Sequence, residues 1–270
     1  MDAWSPELWW LAYLALGLLV GLLAGLLGIG GGVVIVPLLV FLFSAHHFPE
    51  DRVVHLALGT SLTSIVFTNL SSVRAHHLRG AVRWDIVHAI APGVIAGTLL
   101  GTVFADRLSS RYLAIIFTVF VLCSSIQMLF DRKPKPSRQL PGKIGMSLAG
   151  FTIGALSSLV GVGGGILTIP LMTMSNVAMI NCIATSAAIG LPISLAGAVG
   201  YMVTGLDKSH LPPLSLGYVY IPALAGLVLG SFVTVPLGAR LAHGMPPQLL
   251  KRIFVVIMLI LAAKMLYSLV

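Results

Sequence analysis

The sequence predicts an all-α fold, a polytopic bundle of transmembrane helices made of two inverted-topology repeats. Three observations predict it. Apolar stretches of about 20 residues, the length that crosses a hydrocarbon core of about 30 Å as a helix, recur throughout the chain. A glycine-rich motif that interrupts one such stretch returns 133 positions later. Equivalent loops of the two halves carry opposite charge bias.

Of the 270 residues 57% are hydrophobic and only 9% charged, and the mean hydropathy is +1.02, so most of the chain is unsuited to the surface of a soluble globule. Long apolar runs separated by short polar loops also exclude a membrane barrel, whose strands alternate every second residue. The first run, Leu8 to Leu27, follows Asp2 and Glu7 rather than a cationic segment and reads as a permanent span, not a cleaved signal.

The first half reads as a broken pair, Leu8–Leu27 with Val33–Phe43, then spans at Val54–Val73, Ile86–Ala105 and Tyr112–Phe130. The second gives Ile144–Val160 with Ile166–Met174, then Ala178–Val203, Gly217–Pro236 and Ile253–Leu269. Val33–Phe43 has 11 residues, a rise of roughly 16 Å, about half the hydrocarbon thickness, which favours a re-entrant hairpin over a double crossing. Between the halves, Asp131–Lys143 holds five cationic residues and three prolines and reads as a linker. The expected division is residues 1–130 and 144–270 as membrane repeats, joined by a basic cytoplasmic linker at 131–143.

The net charge of +8 sits in loops between spans, where it orients a membrane protein rather than binding nucleic acid. Arg74, Arg79, Arg83 and the linker mark one face as cytoplasmic. In the second half the bias reverses: Thr204–Leu216 offsets Lys208 with Asp207, whereas Gly238–Arg252 holds Arg240, Lys251 and Arg252. Inverted repeats with glycine-broken segments in matching positions point to a transport site near the membrane centre.

The candidate site follows from backbone chemistry. A glycine break frees N–H and C=O groups that lipid cannot satisfy, so it must be buried or line a wet cavity. The helix that follows presents unpaired N–H groups and a positive dipole end, which suit an anion. Gly28, Gly30, Gly31 and Gly32, with Gly161, Gly163, Gly164 and Gly165, are the candidates; four glycines in five residues exceed what helix packing needs. Close packing suffices for Gly17, Gly21, Gly25 and the pairs Gly97/Gly101 and Gly226/Gly230. Thr60 and Ser61, repeated as Thr185 and Ser186, could donate hydroxyls to an oxyanion or bond within their own helix. Asn69 lies two turns further on, and Arg74 reads as a snorkelling charge at the interface.

Other chemistries are excluded. No Lys-Ser/Thr follows the glycines, and Val33 stands where a dinucleotide fingerprint needs its third glycine. His46-His47 and His76-His77 lack a companion cluster and read as loop residues, so no metal site is expected. Cys123 and Cys182 read as packing residues, and neither a cofactor nor a catalytic constellation is indicated. All eight acids, Asp2, Glu7, Glu50, Asp51, Asp85, Asp106, Asp131 and Asp207, fall at span ends or in loops. No buried carboxylate therefore carries a proton or sodium ion, whereas an exported anion draws about 2.3 kcal/mol per charge per 100 mV from the membrane potential.

The stretches GLLGIGGGVVIVPLL (Gly25–Leu39) and LVGVGGGILTIPLM (Leu159–Met172), with GTSL at Gly59–Leu62 and ATSA at Ala184–Ala187, resemble the TauE/SafE sulfite exporter family of bacterial and plant membrane proteins. The resemblance spans nearly the whole chain. It implies a multi-pass inner-membrane permease for sulfite, sulfoacetate or a related sulfur-containing anion, with the two glycine clusters, Pro37 and Pro170, and the Thr-Ser pairs as the matching residues. The expected partners are a small anionic substrate and the lipid bilayer; the oligomeric state stays open. An anion channel, a cation-coupled carrier of another organic anion and a membrane-embedded enzyme remain as alternatives, the last without any visible nucleophile or acid pair.

Overall fold

A computed structural model of the chain describes residues 6–27, 31–129, 140–243 and 247–267. Gly28 and Gly30 of the first motif, and residues 131–139 of the linker, lie outside them. The described residues form ten helices: α1 (Pro6–Leu27), α2 (Gly32–Ala45), α3 (Val53–His77), α4 (Trp84–Arg107), α5 (Ser110–Leu129), α6 (Lys143–Val160), α7 (Gly165–Met174), α8 (Met179–Gly205), α9 (Ile221–His243) and α10 (Pro247–Tyr267). Seven of them, α1, α3 to α6, α8 and α9, are long and apolar enough to cross a membrane. The expected span beginning at Gly217 starts instead with a small antiparallel pair, β1 (Ser215–Leu216) and β2 (Val219–Tyr220). Gly217 turns this pair at φ 56°, a left-handed conformation natural to glycine.

Contacts between helix ends fix the topology. The Trp9 ring, near the start of α1, stacks on His46, just past the end of α2, with centroids 3.9 Å apart. The α1–α2 hairpin therefore returns to the face it left, which also carries Arg52. α3 then crosses to the face of Arg79, α4 crosses back, and α5 returns. α6 runs parallel to α4, Gly93 facing Ser147 and Gly97 facing Phe151, so it starts on the Arg79 face. α7 comes back to that face, because the next helix begins there: Asn181 Nδ2 donates to Ala81 O at 2.8 Å. One hairpin thus enters from each face, and the halves are inverted.

Packing repeats the inversion. α1 lies parallel to α9 as α4 lies parallel to α6, with glycines at both seams. Gly17 sits against the Gly226 carbonyl and Gly230 against Leu18, while Gly150 and Gly154 meet Ile90 and Val94. Without side chains in the way, two backbones approach to van der Waals contact, which is how helices associate where lipid removes the hydrophobic drive. α3 and α8 cross antiparallel in the middle, Leu62 against Gly197. Their spans are 78% and 67% buried against 33% for α1, so these two form the inner wall and the rest face lipid.

The seam yields a stability prediction. A Cβ at Gly97 would overlap the backbone carbonyl of Phe151, which no rotamer change relieves. Gly97→Val is expected to cost about 1–3 kcal/mol and to lower the thermal unfolding midpoint of the detergent-solubilised protein by several degrees. Gly142→Ala, with nothing within 4 Å of the added carbon, leaves that midpoint unchanged in the same fluorescence-detected assay.

Candidate anion-binding site

The two glycine breaks meet inside the bundle. A carbon added to Gly32 would lie 2.5 Å from Gly161 O, and Ser61 Oγ donates to the same carbonyl at 3.1 Å. Each short helix is entered through a glycine in the left-handed region, Gly31 at φ 66° before α2 and Gly164 at φ 78° before α7. α6 is closed by a third, Gly161 at φ 70°. L-residues avoid this region, so the glycines permit the chain to reverse within a few residues.

The two sides of this meeting differ in packing. At the second, Gly161 and Val162 donate to Ser157 O, and bonding resumes when Leu167 and Thr168 donate to Gly164 O. The N–H groups of Gly163, Gly164, Gly165 and Ile166 are left without helical acceptors. Gly163 and Gly165 line a cavity of about 140 Å³, shared with Thr68, Asn69, Ser72, His76 and Ser186. It has room for a small anion together with several waters. On the first side the described Gly32 is buried against Gly161, Val162 and Ile65.

Asn69 is the most telling side chain on the cavity wall. It is 6% exposed, and its Nδ2 has no hydrogen-bond partner. A carbon added to Gly163 would sit 3.3 Å from that nitrogen. A buried amide left unpaired costs on the order of 1–3 kcal/mol, so this donor, packed between Gly163 and Gly190 at the edge of the cavity, is a candidate binding group. No carboxylate is among the described residues lining the cavity.

The predicted hydroxyls divide. Ser186 lines the cavity and shares a 2.8 Å bond with Thr168, which donates in turn to Gly164 O; it holds the tip in place. Thr60 and Thr185 lie off the cavity and play matching roles. Thr60 Oγ1 accepts the N–H of Tyr220 at 3.0 Å, and Thr185 Oγ1 accepts that of Arg83 at 3.0 Å. Each pins the residue before a helix, α9 or α4, to the inner wall. Arg74 is exposed, as expected of an interfacial charge.

Thr68, Ser72 and His76 escaped the sequence reading. With Asn69 they occupy one face of α3 at helical spacing, a polar stripe within an apolar span, and that period was the available signal. His76 and His77 belong to the last turn of α3 rather than to a loop. The cavity wall therefore descends along α3 from the membrane centre to the Arg79 face.

The opposite face is closed by an ionic cluster. Asp106, at the end of α4, accepts from Lys208 Nζ at 2.8 Å and from the Tyr218 hydroxyl at 2.7 Å, with Arg52 3.7 Å away. Arg52 also donates to the Tyr218 oxygen at 2.8 Å. Burial, then Asp106, push the Tyr218 phenol far above the usual tyrosine range, so it stays protonated and donates. Beneath the cluster, His55 stacks on Tyr218, and the fully buried Tyr201 donates to Ser158 O at 2.9 Å. The cluster ties α3, α4, the α8–β1 loop and the strand pair together.

Comparison with known proteins agrees with this architecture. The family described as sulfite exporter TauE/SafE matches residues 13–265. A probable membrane transporter protein of Haemophilus influenzae is 34% identical over 253 residues, 93% of this chain and 96% of its own. The probable membrane transporter protein YunE of Bacillus subtilis is 27% identical over 94% of this chain and 96% of its own. That of Methanocaldococcus jannaschii, MJ0441, is 27% identical over 87% of each. No solved structure matches the chain. The matched length, the doubled glycine motif and the ten-helix bundle lead to one conclusion: this multi-pass membrane protein belongs to the TauE/SafE sulfite exporter family.

Proposed function

We propose that the protein is a permease that exports a small sulfur-containing oxyanion, sulfite or an organosulfonate such as sulfoacetate, across a bacterial inner membrane by alternating access. The observation that carries this reading is Asn69: a buried, unpartnered donor beside the α7 tip, at a cavity whose described lining holds no carboxylate. Neutral donors and a helix N-terminus offset the desolvation of one small anion without an immobile countercharge that would retain it. The cationic loops favour a cytoplasmic cavity mouth, from which the membrane potential would drive an anion outward. Residues 1–130 and 144–270 are the two moving repeats, joined by the basic linker. Oligomerisation is not needed for this site, and the mechanism needs no cofactor or bond-making step.

The inverted halves suggest how access alternates. The offset that relates Thr60 to Thr185 relates Asn69 to Ser194 and His76 to Tyr201. Where one half opens a polar stripe, the other is plugged by buried Tyr201 under the Asp106 cluster. Exchange of these two packings would close the cavity on the Arg79 face and open its counterpart on the Arg52 face.

Three outcomes test this. In proteoliposomes, Asn69→Ala is expected to lower sulfite flux about tenfold or more, as loss of a hydrogen bond to a charged group costs roughly 1.5–3 kcal/mol; unchanged flux by folded protein removes Asn69 from the site. Counterflow of labelled sulfite distinguishes a carrier from a channel. Asp106→Asn leaves Arg52 and Lys208 facing a neutral amide, a loss of about 1–2 kcal/mol for a partly exposed pair. Deuterium uptake across residues 203–220 should then rise several-fold while the α4–α6 seam stays protected. No change there would show that the cluster does not hold that face closed.

A further inference from the structure

We propose that His76 makes anion capture proton-linked: the anion entering the cavity from the Arg79 face brings a proton onto the imidazole. The inference rests on the cavity being the anion site. Among the described residues lining that cavity, His76 is the ionisable side chain.

Its surroundings let the charge act. His76 is half-buried in the last turn of α3, and among the described residues its imidazole has no hydrogen-bond or ion-pair partner. The lining residues from α1, α8 and α9 are uncharged. On its own segment the next charge along the chain is Arg79, three residues on. Neighbouring His77 is engaged by Trp84, whose indole N–H donates to it at 3.1 Å. Arg83 is committed to Asp85 at 2.6 Å. Two turns along one face separate His76 from Asn69, so an anion held at the tip meets the imidazole across the cavity.

The linkage has a definite sign. A bound anion favours imidazolium, so the histidine pKa is higher in the complex than in the empty cavity. The proton comes from water at the cavity mouth and forms one N–H bond on the ring; nothing is oxidised or transferred. Affinity is fully enhanced below the pKa of the empty protein and falls as pH rises through that of the complex. An exported anion would then carry a proton with it to the extent that His76 follows the anion across. Proton linkage in this protein therefore needs no buried carboxylate.

Calorimetric titration of the full-length detergent-solubilised protein tests this. Methanesulfonate is the probe because it does not itself titrate, and buffers of differing ionisation enthalpy report the protons taken up. Between about pH 5.5 and 8, spanning the ordinary histidine value of about 6.5, wild-type affinity should fall about tenfold with uptake of part of a proton per anion. His76→Gln should bind with the weak high-pH affinity at every pH and take up none. Wild-type binding without proton uptake, or uptake that persists in His76→Gln, overturns the proposal. Asn69→Ala separates the two layers: if it binds like wild type, the cavity assignment itself fails, as it does if wild type binds no probe.

Discussion

The fold turns on the contact between the two glycine breaks, where Gly32 lies against the carbonyl of Gly161 and Ser61 donates to that same oxygen. Hydrocarbon offers no partner to an opened backbone, so each break is tolerable only against protein or water. Inversion brings the breaks together inside the protein, one hairpin descending from each face, and Ser61 of α3 supplies the hydroxyl that one freed carbonyl needs. Everything else surrounds that meeting. α3 and α8 wall it in, and glycine seams bring α1 to α9 and α4 to α6 closely enough to seal it.

The halves share a plan and differ in state. Their paired threonines do the same work, each holding the start of a helix in the other half. Yet Gly32 is packed while Gly163 and Gly165 line a cavity, and one face is tied by Asp106 while the other is lined by a polar stripe. Near-symmetric parts held in unlike packings are what the proposed two-state carrier requires, each half taking in turn the arrangement now held by its counterpart.

Most of the architecture was legible in the sequence because its signals are long and redundant. Ten apolar segments, the repeated GGG-x4-P spacing from Gly30–Pro37 to Gly163–Pro170 and the charge of the loops all agree. The helices extend those segments by a few residues, and only the strand pair at Ser215–Tyr220 was unforeseen, since two-residue strands leave almost no pattern. The site was legible in part. Gly163, Gly165, Asn69 and Ser186 reach the cavity, while Thr60 and Thr185 hold backbone at its margins. Paired positions reveal what a repeat duplicates, not which copy faces the open side. His76 was hidden by its neighbour: two adjacent histidines suggest a loop, whereas α3 continues through both and turns only one of them to the cavity.

The central claim is that an anion rests between Asn69 and the α7 tip. Selenite, a close mimic of sulfite with a strong anomalous signal, tests it directly in crystals of the protein. The account predicts an anomalous selenium peak within hydrogen-bond reach of Asn69 Nδ2 and the N–H groups of Gly163 to Ile166. Selenium confined to the exposed arginines of the Arg79 face, with none at Asn69, would contradict it.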